Sequence, residues 1–220
     1  MKSYLLSLIL AVALVIVCGK SIAGNTNGKS SGLKSDGDTM TVENALANRY
    51  SERRYDPSKT LADAQILKLL WAANGVNKYG RRTAPSAMNA QDIDLYVCKA
   101  NGTWKYNAEK KRMDEVTNED IRPYFIEYND YANDAPLCIL LITDQSKFSE
   151  PTEAGSERNK NFGLIDAGIV SENISLYCTS VGLGTVPCAP HMENAKIQKA
   201  LGLTEKQVPI LYHPVGYPAK

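Results

Sequence analysis

Histidine is scarce in this chain, 2 in 220 residues, and His191 and His213 have no metal-ligand spacing between them. No Cys-x-x-Cys or Cys/His cluster occurs either, so metal catalysis is not expected. An excess of one charge is also missing, since 25 Lys and Arg stand against 24 Asp and Glu for a formal net charge of +1. Without a concentrated basic footprint there is no electrostatic case for nucleic acid. No internal repeat is visible, which excludes solenoid and propeller architectures. No Gly-x-Gly-x-x-Gly follows a strand-like run, which argues against a Rossmann fold. What remains is an ordinary globular composition, 44% hydrophobic and 22% charged, in a length suited to one domain with a real core.

The one long apolar run is N-terminal. Leu5 to Val17, broken only by Ser7, follows Met1-Lys2 and precedes the small residues of Ser21-Ile22-Ala23. This is the layout of a cleaved signal peptide over residues 1–23, and the run is short for a permanent span. The expectation is an exported, periplasmic protein with no stable membrane insertion; the alternative is an uncleaved N-terminal anchor. Cleavage would remove Lys2 and Lys20 and no acid, turning the net charge of +1 into −1. Residues 24–39 are Gly, Ser, Thr, Asn, Lys and Asp with a single large apolar side chain, Leu33, and read as a flexible linker. The domain proper then covers residues 40–220. It holds Cys98, Cys138, Cys178 and Cys188. Four cysteines permit two disulfides in three connectivities, and buried free thiols are the simpler expectation for most of them.

Periodicity supplies the elements. Val42, Leu46 and Tyr50 mark one face of a first helix. Thr60 and Asp63 have capping-box spacing ahead of a stripe of Ile66, Leu67, Leu70 and Trp71, and Gly75 falls where a C-cap glycine belongs. Asp94 to Cys98 reads as a strand, with Asn101-Gly102 as a hairpin turn into Thr103–Tyr106. Pro136 opens Leu137–Ile142, apolar at every position, as a strand buried on both faces would be. Phe162–Val181 is a long helix carrying Ala167 and Gly168 and ended by Gly182. Val186–Cys188 and Ile210–His213 are short strands around a helix from Glu193 to Leu201. Helices and strands mix without regular βαβ alternation, so the fold class is α+β.

Three segments carry chemical information. Arg49-Tyr50-Ser51-Glu52-Arg53-Arg54-Tyr55 sets guanidiniums and a hydroxyl at alternate positions, so an extended chain turns them to one side, where they suit a phosphate and a polar ring edge. Arg82-Thr83-Ala84-Pro85-Ser86-Ala87-Met88-Asn89-Ala90-Gln91 is a turn with short hydroxyl and amide side chains. Gly182-Leu183-Gly184-Thr185-Val186-Pro187-Cys188 is a glycine-bearing helix-to-strand turn. A solvated charged turn, a Pro-Ser loop and a plain chain reversal are the bland readings of the three.

Taken in order, Arg-x-Ser-x-Arg, Pro-Ser-x-x-Asn-x-Gln, and Asp166-Ala167-Gly168 leading through a helix to Gly-Leu-Gly-x-Val-Pro resemble the nitroreductase family of FMN-dependent oxidoreductases. The Arg-Thr-x-Pro-Ser-Ala wording is similar to the subgroup that includes azoline-forming dehydrogenases of peptide biosynthesis. The resemblance runs from about Asn48 to the C-terminus. It implies a mixed sheet sandwiched by helices, in a homodimer with FMN at the interface. Arg49 and Ser51, with Tyr50 between them, match residues that grip the FMN phosphate, and Arg53 matches the basic residue at the pyrimidine edge. Pro85, Ser86, Ala87, Asn89 and Gln91 match the loop lining the ring and ribityl chain. Pro187, Cys188 and Ala189 match the loop over the ring, where a backbone N–H donates to N5; Ala189 can be that donor, whereas Pro190 has no N–H. Lys220 resembles a late basic phosphate ligand.

The implied chemistry passes hydride from a reduced donor such as NADH or NADPH through FMN to a small organic acceptor such as a nitroaromatic or quinone. Negative charge left around N1 and the C2 carbonyl explains a fixed guanidinium at Arg53. No catalytic side chain is required, because the cofactor does the redox step. An exported electron-relay flavoprotein, a dehydrogenase acting on a modified peptide, and an interaction protein that lost the cofactor are the alternatives.

Overall fold

The structure, a computed structural model, describes residues 40–126, 129–148 and 153–220, with side chains from residue 157 in the last stretch. The signal peptide expected over 1–23 and the linker over 24–39 lie outside the described residues. None of the described helices is long and apolar enough to cross a membrane.

Strand β4 (Leu137–Asp144) has no polar face: Leu137, Ile139 and Leu141 point to one side, Cys138, Leu140 and Ile142 to the other, and all are buried. Such a strand must be covered twice. On the first side, Leu95 and Val97 of β1 (Ile93–Lys99) join it. They pack against Ile66, Leu69 and Leu70 of helix α2 (Asp63–Asn74) and against Ala167, Val170 and Ile174 of helix α3 (Glu153–Ser180). On the second side, Tyr96, Cys98 and Tyr212 meet Ile197 and Leu201 of helix α4 (Asn194–Leu201) and the short turns bearing Ile121 and Phe125. The α+β sandwich expected from sequence is the observed fold.

The sheet adds β2 (Gly102–Asn107), β3 (Arg112–Thr117), β5 (Gly184–Thr185) and β6 (Gln207–Gly216), in the order β3-β2-β1-β4-β6-β5. Every pairing is antiparallel, so the sheet, expected to be mixed, is not. Hairpin β1–β2 forms as expected, but Lys99 pairs with Gly102, so the two turn residues are Ala100-Asn101. The strand expected at Val186–Cys188 lies earlier, at Gly184–Thr185, while Cys188 makes an isolated bridge to Tyr212.

Local signals were partly displaced. The N-cap of α2 is Ala62, whose N–H donates to the Gln65 side chain; Thr60 and Asp63 do not cap it. Gly75 is the C-cap but with extended backbone. A Cβ there would lie 2.5 Å from the Trp71 ring, so close approach selects glycine. Gly182 has φ +73 and follows α3, with Leu183 N–H reaching back to the Cys178 carbonyl, the left-handed helix stop expected. Helix α1 (Val42–Asn48) is short and buries Ala45; of Val42, Leu46 and Tyr50, expected to mark one helical face, Tyr50 lies past its end, and the three are 68%, 56% and 59% exposed.

The four cysteines are free and buried, and burial pushes the Cys98 thiol up to about 12. His213 is enclosed as well. Thr185 Oγ1 donates to the Pro214 carbonyl and accepts from His213 Nδ1 at 3.0 Å, leaving Nε2 to accept the Ser171 hydroxyl at 2.8 Å. This resembles a nucleophile–base pair, but both members are buried in the protein, out of reach of substrate. Burial lowers the imidazole pKa to about 3. A depressed histidine contributes stability above its unfolded pKa and loses it as pH falls. Melting temperature should therefore drop below about pH 6.5, with roughly 2 kcal/mol lost by about pH 5 through this residue. Thermal melts of His213→Gln should show a flatter acid limb than the parent.

Candidate flavin site

Glu52 organises the basic segment. Its buried carboxylate accepts from Arg53 N–H and Arg54 N–H at Oε1 and from Tyr50 Oη at Oε2, at 2.9, 2.8 and 2.7 Å. This ties the Tyr50 hydroxyl to the protein rather than leaving it for a ligand. The chain leaves α1 in extended form at Arg49, and Glu52 N–H donates to the Thr185 carbonyl. Gly184 makes that approach possible, since a Cβ on it would lie 2.5 Å from Glu52 Cγ. Ala219 N–H donates to the Arg54 carbonyl at 2.9 Å, which brings Lys220 to the same edge. Arg49, Ser51, Arg53 and Lys220 are all exposed. Arg49, Ser51 and Lys220 have no hydrogen-bond or ion-pair partner among the described residues. Two unneutralised cations and a free hydroxyl suit a phosphate monoester.

The Pro187–Ala189 loop is joined to this segment. Arg53 lies over the Tyr131 ring at 5.9 Å, and Tyr131 Oη is 3.2 Å from Cys188 Sγ. Cys188 and Tyr212 exchange both backbone bonds, at 2.9 and 2.8 Å, which fixes the loop. The Cys188 N–H is therefore taken, whereas the Ala189 N–H has no acceptor among the described residues. Burial raises the Cys188 thiol above its ordinary value, the Tyr131 bond opposing it, so it remains a thiol at neutral pH. Pro187 and Ala189 are exposed beside it.

The third segment is built by strain. Met88, Asn89 and Gln91 have φ of +54, +53 and +52, left-handed values for three non-glycine residues in one turn. Several bonds impose the shape. Gln91 N–H donates to Ser86 Oγ, Arg82 Nε to Gln91 Oε1, and Lys147 Nζ to the Gln91 carbonyl. Ala87 N–H donates to both oxygens of Asp166, at 3.1 and 2.9 Å. Pro85 and Asn89 are exposed, and Ser86, Ala87 and Gln91 half-buried.

One chain does not bring the three segments together. The turn is anchored at Asp166, inside α3, while the basic segment is anchored at Thr185, past its end at Ser180. At about 1.5 Å per residue the two anchors are roughly 20 Å apart along the helix. The cleft at the basic segment, lined by Tyr50, Glu52 and Gly182–Thr185 among others, holds about 220 Å³. Small-molecule and cofactor sites occupy roughly 300–1,000 Å³, so this cleft alone is smaller than such a site.

Three contributors were not foreseen: Glu52 as the knot of its segment, Tyr131 as the link from Arg53 to Cys188, and Asp92 beneath the turn. The first was visible as an acid among arginines; the others needed the fold.

The nitroreductase family profile matches residues 46–217. A protein of Methanocaldococcus jannaschii named as a nitroreductase is 26% identical over 197 residues, 82% of this chain and 93% of its own. One of Methanothermobacter thermautotrophicus, named as an NADH dehydrogenase/NAD(P)H nitroreductase, is 24% identical over 164 residues, 70% of this chain and 78% of its own. Among solved structures, a nitroreductase-named protein of Ralstonia eutropha superposes with a TM-score of 0.75 at 30% identity, covering 85% of this chain and 87% of that one. With the sandwich fold, the ordered segments and these matches in agreement, the chain belongs to the nitroreductase family, a family of oxidoreductases.

Proposed function

We propose that two copies of this chain bind FMN at their interface and pass hydride from a reduced nicotinamide to a small organic acceptor such as a nitroaromatic or quinone. The observation that carries the reading is the division of the site. The phosphate and pyrimidine ligands gather at one end of α3, and the Pro85–Gln91 turn is anchored well back along it. A second chain in two-fold arrangement can set its turn against the first chain's basic segment. Exposed apolar side chains at Val42 and Leu46 on α1 and at Leu164 and Ile165 on α3 supply a surface that wants covering.

Each residue then has a task. Arg49, Ser51 and Lys220 hold the phosphate. Arg53, steadied on Tyr131, stands ready for negative charge at the pyrimidine edge. Ala189 N–H is the open donor toward the ring, and Ser86 and Asn89 offer hydrogen bonds from the partner copy. FMN, when bound, supplies the hydride chemistry. The Arg82–Ala87 wording supports a ring borne on a modified peptide as a second class of substrate. Export to the periplasm is part of the proposal and rests on residues 1–23.

Purified protein should be yellow and lose its flavin as free FMN on denaturation. Arg49→Ala should weaken FMN by about 1.5–3 kcal/mol while leaving riboflavin, which lacks the phosphate, unaffected; equal losses for both would remove the phosphate role. Sedimentation at micromolar concentration should give twice the monomer mass. Leu46→Glu, placing a charge on the exposed face of α1, should yield folded monomer with weakened FMN binding; a flavin-saturated monomer would overturn the interface site. Cys188→Ser should change stopped-flow flavin reduction by no more than about tenfold, or about 1.4 kcal/mol in barrier. A loss of several orders with FMN still bound would make the thiol part of the chemistry.

A further inference from the structure

Beneath the strained turn lie two carboxyl groups with no evident reason to be together. Asp92 is fully enclosed and Asp166 is 2% exposed. Asp92 Oδ2 accepts the Thr143 hydroxyl at 2.6 Å, but Oδ1 is buried without a hydrogen-bond partner. Asp166 uses both oxygens on Ala87 N–H, and Gly163, one turn before it on α3, packs so closely on Thr143 that a Cβ there would lie 2.5 Å from the hydroxyl that bonds Asp92, which brings the two carboxyls next to each other. A proton on Asp166 is the donor that Asp92 Oδ1 lacks.

We propose that Asp92 and Asp166 form a proton-dependent latch, in which a proton on Asp166, donated to Asp92, lets Asp166 hold the Ser86–Gln91 turn and its loss to solvent frees the turn. In this role Asp166 is a positioning residue, acting on the ligand only through the turn. With Asp166 ionised, two buried negative charges repel, and this repulsion with the cost of burial outweighs the stronger bond that the ionised group makes to Ala87, so Asp166 turns out toward water. That releases a turn holding three left-handed residues under strain. Burial, and next the Asp92 carboxyl, raise the Asp166 pKa to about 6, against the Ala87 bond that lowers it. A raised carboxyl contributes its stabilisation below the ordinary carboxylate pKa and loses it as pH rises through the folded value. The latch is therefore closed in mild acid and open at alkaline pH.

Other charged groups around the pair have work of their own. On β1, Asp94 takes Lys105 of β2 and Lys147, which also bonds the Gln91 carbonyl. Arg82 is committed to Gln91 and the Asn74 carbonyl. Asp144, at the end of β4, gives its N–H to the Asp92 carbonyl and takes Ser146 on its side chain. On α2, Asp63 pairs with Lys99. Arg158 of α3 lies over Phe162, and His213 of β6 is held by Ser171 and Thr185. His213 titrates with the opposite sign in an overlapping pH range, so global melting cannot isolate the latch.

The test is amide hydrogen exchange of the peptide spanning residues 84–91 in the full protein, corrected for intrinsic rates, from about pH 5 to about pH 8. The parent should lose protection by about tenfold or more across that range. Asp166→Asn, which can accept from Ala87 while donating to Asp92, should stay protected throughout; Asp166→Ala should be unprotected throughout. Asp92→Asn also removes the repulsion and should flatten the profile, so it answers the question should Asp166→Asn fold poorly. Flat protection in the parent, or an asparagine variant that keeps the parent's slope, would overturn the latch. The effect on cofactor rests on the flavin reading. FMN affinity of the parent relative to Asp166→Asn, measured at each pH to cancel the titration of the phosphate, should fall as pH rises. If exchange switches and FMN is not bound at all, the latch stands and the flavin reading fails.

Discussion

The double burial of β4 is the constraint from which the molecule follows. An antiparallel strand normally keeps one face for water, and six successive apolar residues leave none. Both layers of helix are therefore obligatory, and α3 is held along the sheet by Ala167, Val170 and Ile174 as a rigid spar. Everything the chain offers a ligand is attached to that spar or just beyond its end. Its stiffness sets the distance between the basic segment and the turn. A shorter α3 would bring the two into one cleft; at 28 residues it cannot.

Burial by itself does not shape either half of the site. Buried carboxylates do. Glu52 gathers two backbone N–H groups and a phenol, so that the guanidiniums on either side of it must face outward. Asp166 does the same for the turn through Ala87. Each is a buried carboxyl group placed where it organises backbone donors, and the side chains of Arg49, Ser51 and Asn89 are left without a hydrogen-bond partner among the described residues. Burying them costs desolvation, which the charge-assisted bonds offset.

Much of this was legible beforehand, and the misses share a cause. Leu137–Ile142 and the Gly182 stop were plain because core burial and a left-handed helix end are local demands. The three segments were singled out by their order and by the family they resemble, since each alone has a bland reading. Val42, Leu46 and Tyr50 were read as one helical face, but the helix stops at Asn48, and periodicity reports an apolar face without saying where the helix ends or what covers it. The capping of α2 was displaced because Gln65 reaches its own N-cap backbone, a competition propensity does not weigh. The sheet was expected to be mixed because pairing direction depends on where each connection returns. Tyr131 and Asp92 act through partners 57 and 51 residues away, and no window along the sequence contains both members.

The turn at residues 86–91 carries a further consequence. Left-handed backbone costs an ordinary residue about 1–2 kcal/mol and glycine almost nothing. A loop needing only its outline would be cheaper with glycine at Met88, Asn89 and Gln91, yet the chain has side chains at all three. Shape is therefore not the whole specification. Gln91 spends its amide on Arg82, inside the fold, while the Met88 and Asn89 side chains are exposed. Those two project an apolar thioether and a bifunctional amide from adjacent positions, in directions an unstrained backbone would not give them. They are the positions at which the surface of this turn can be varied without disturbing the core.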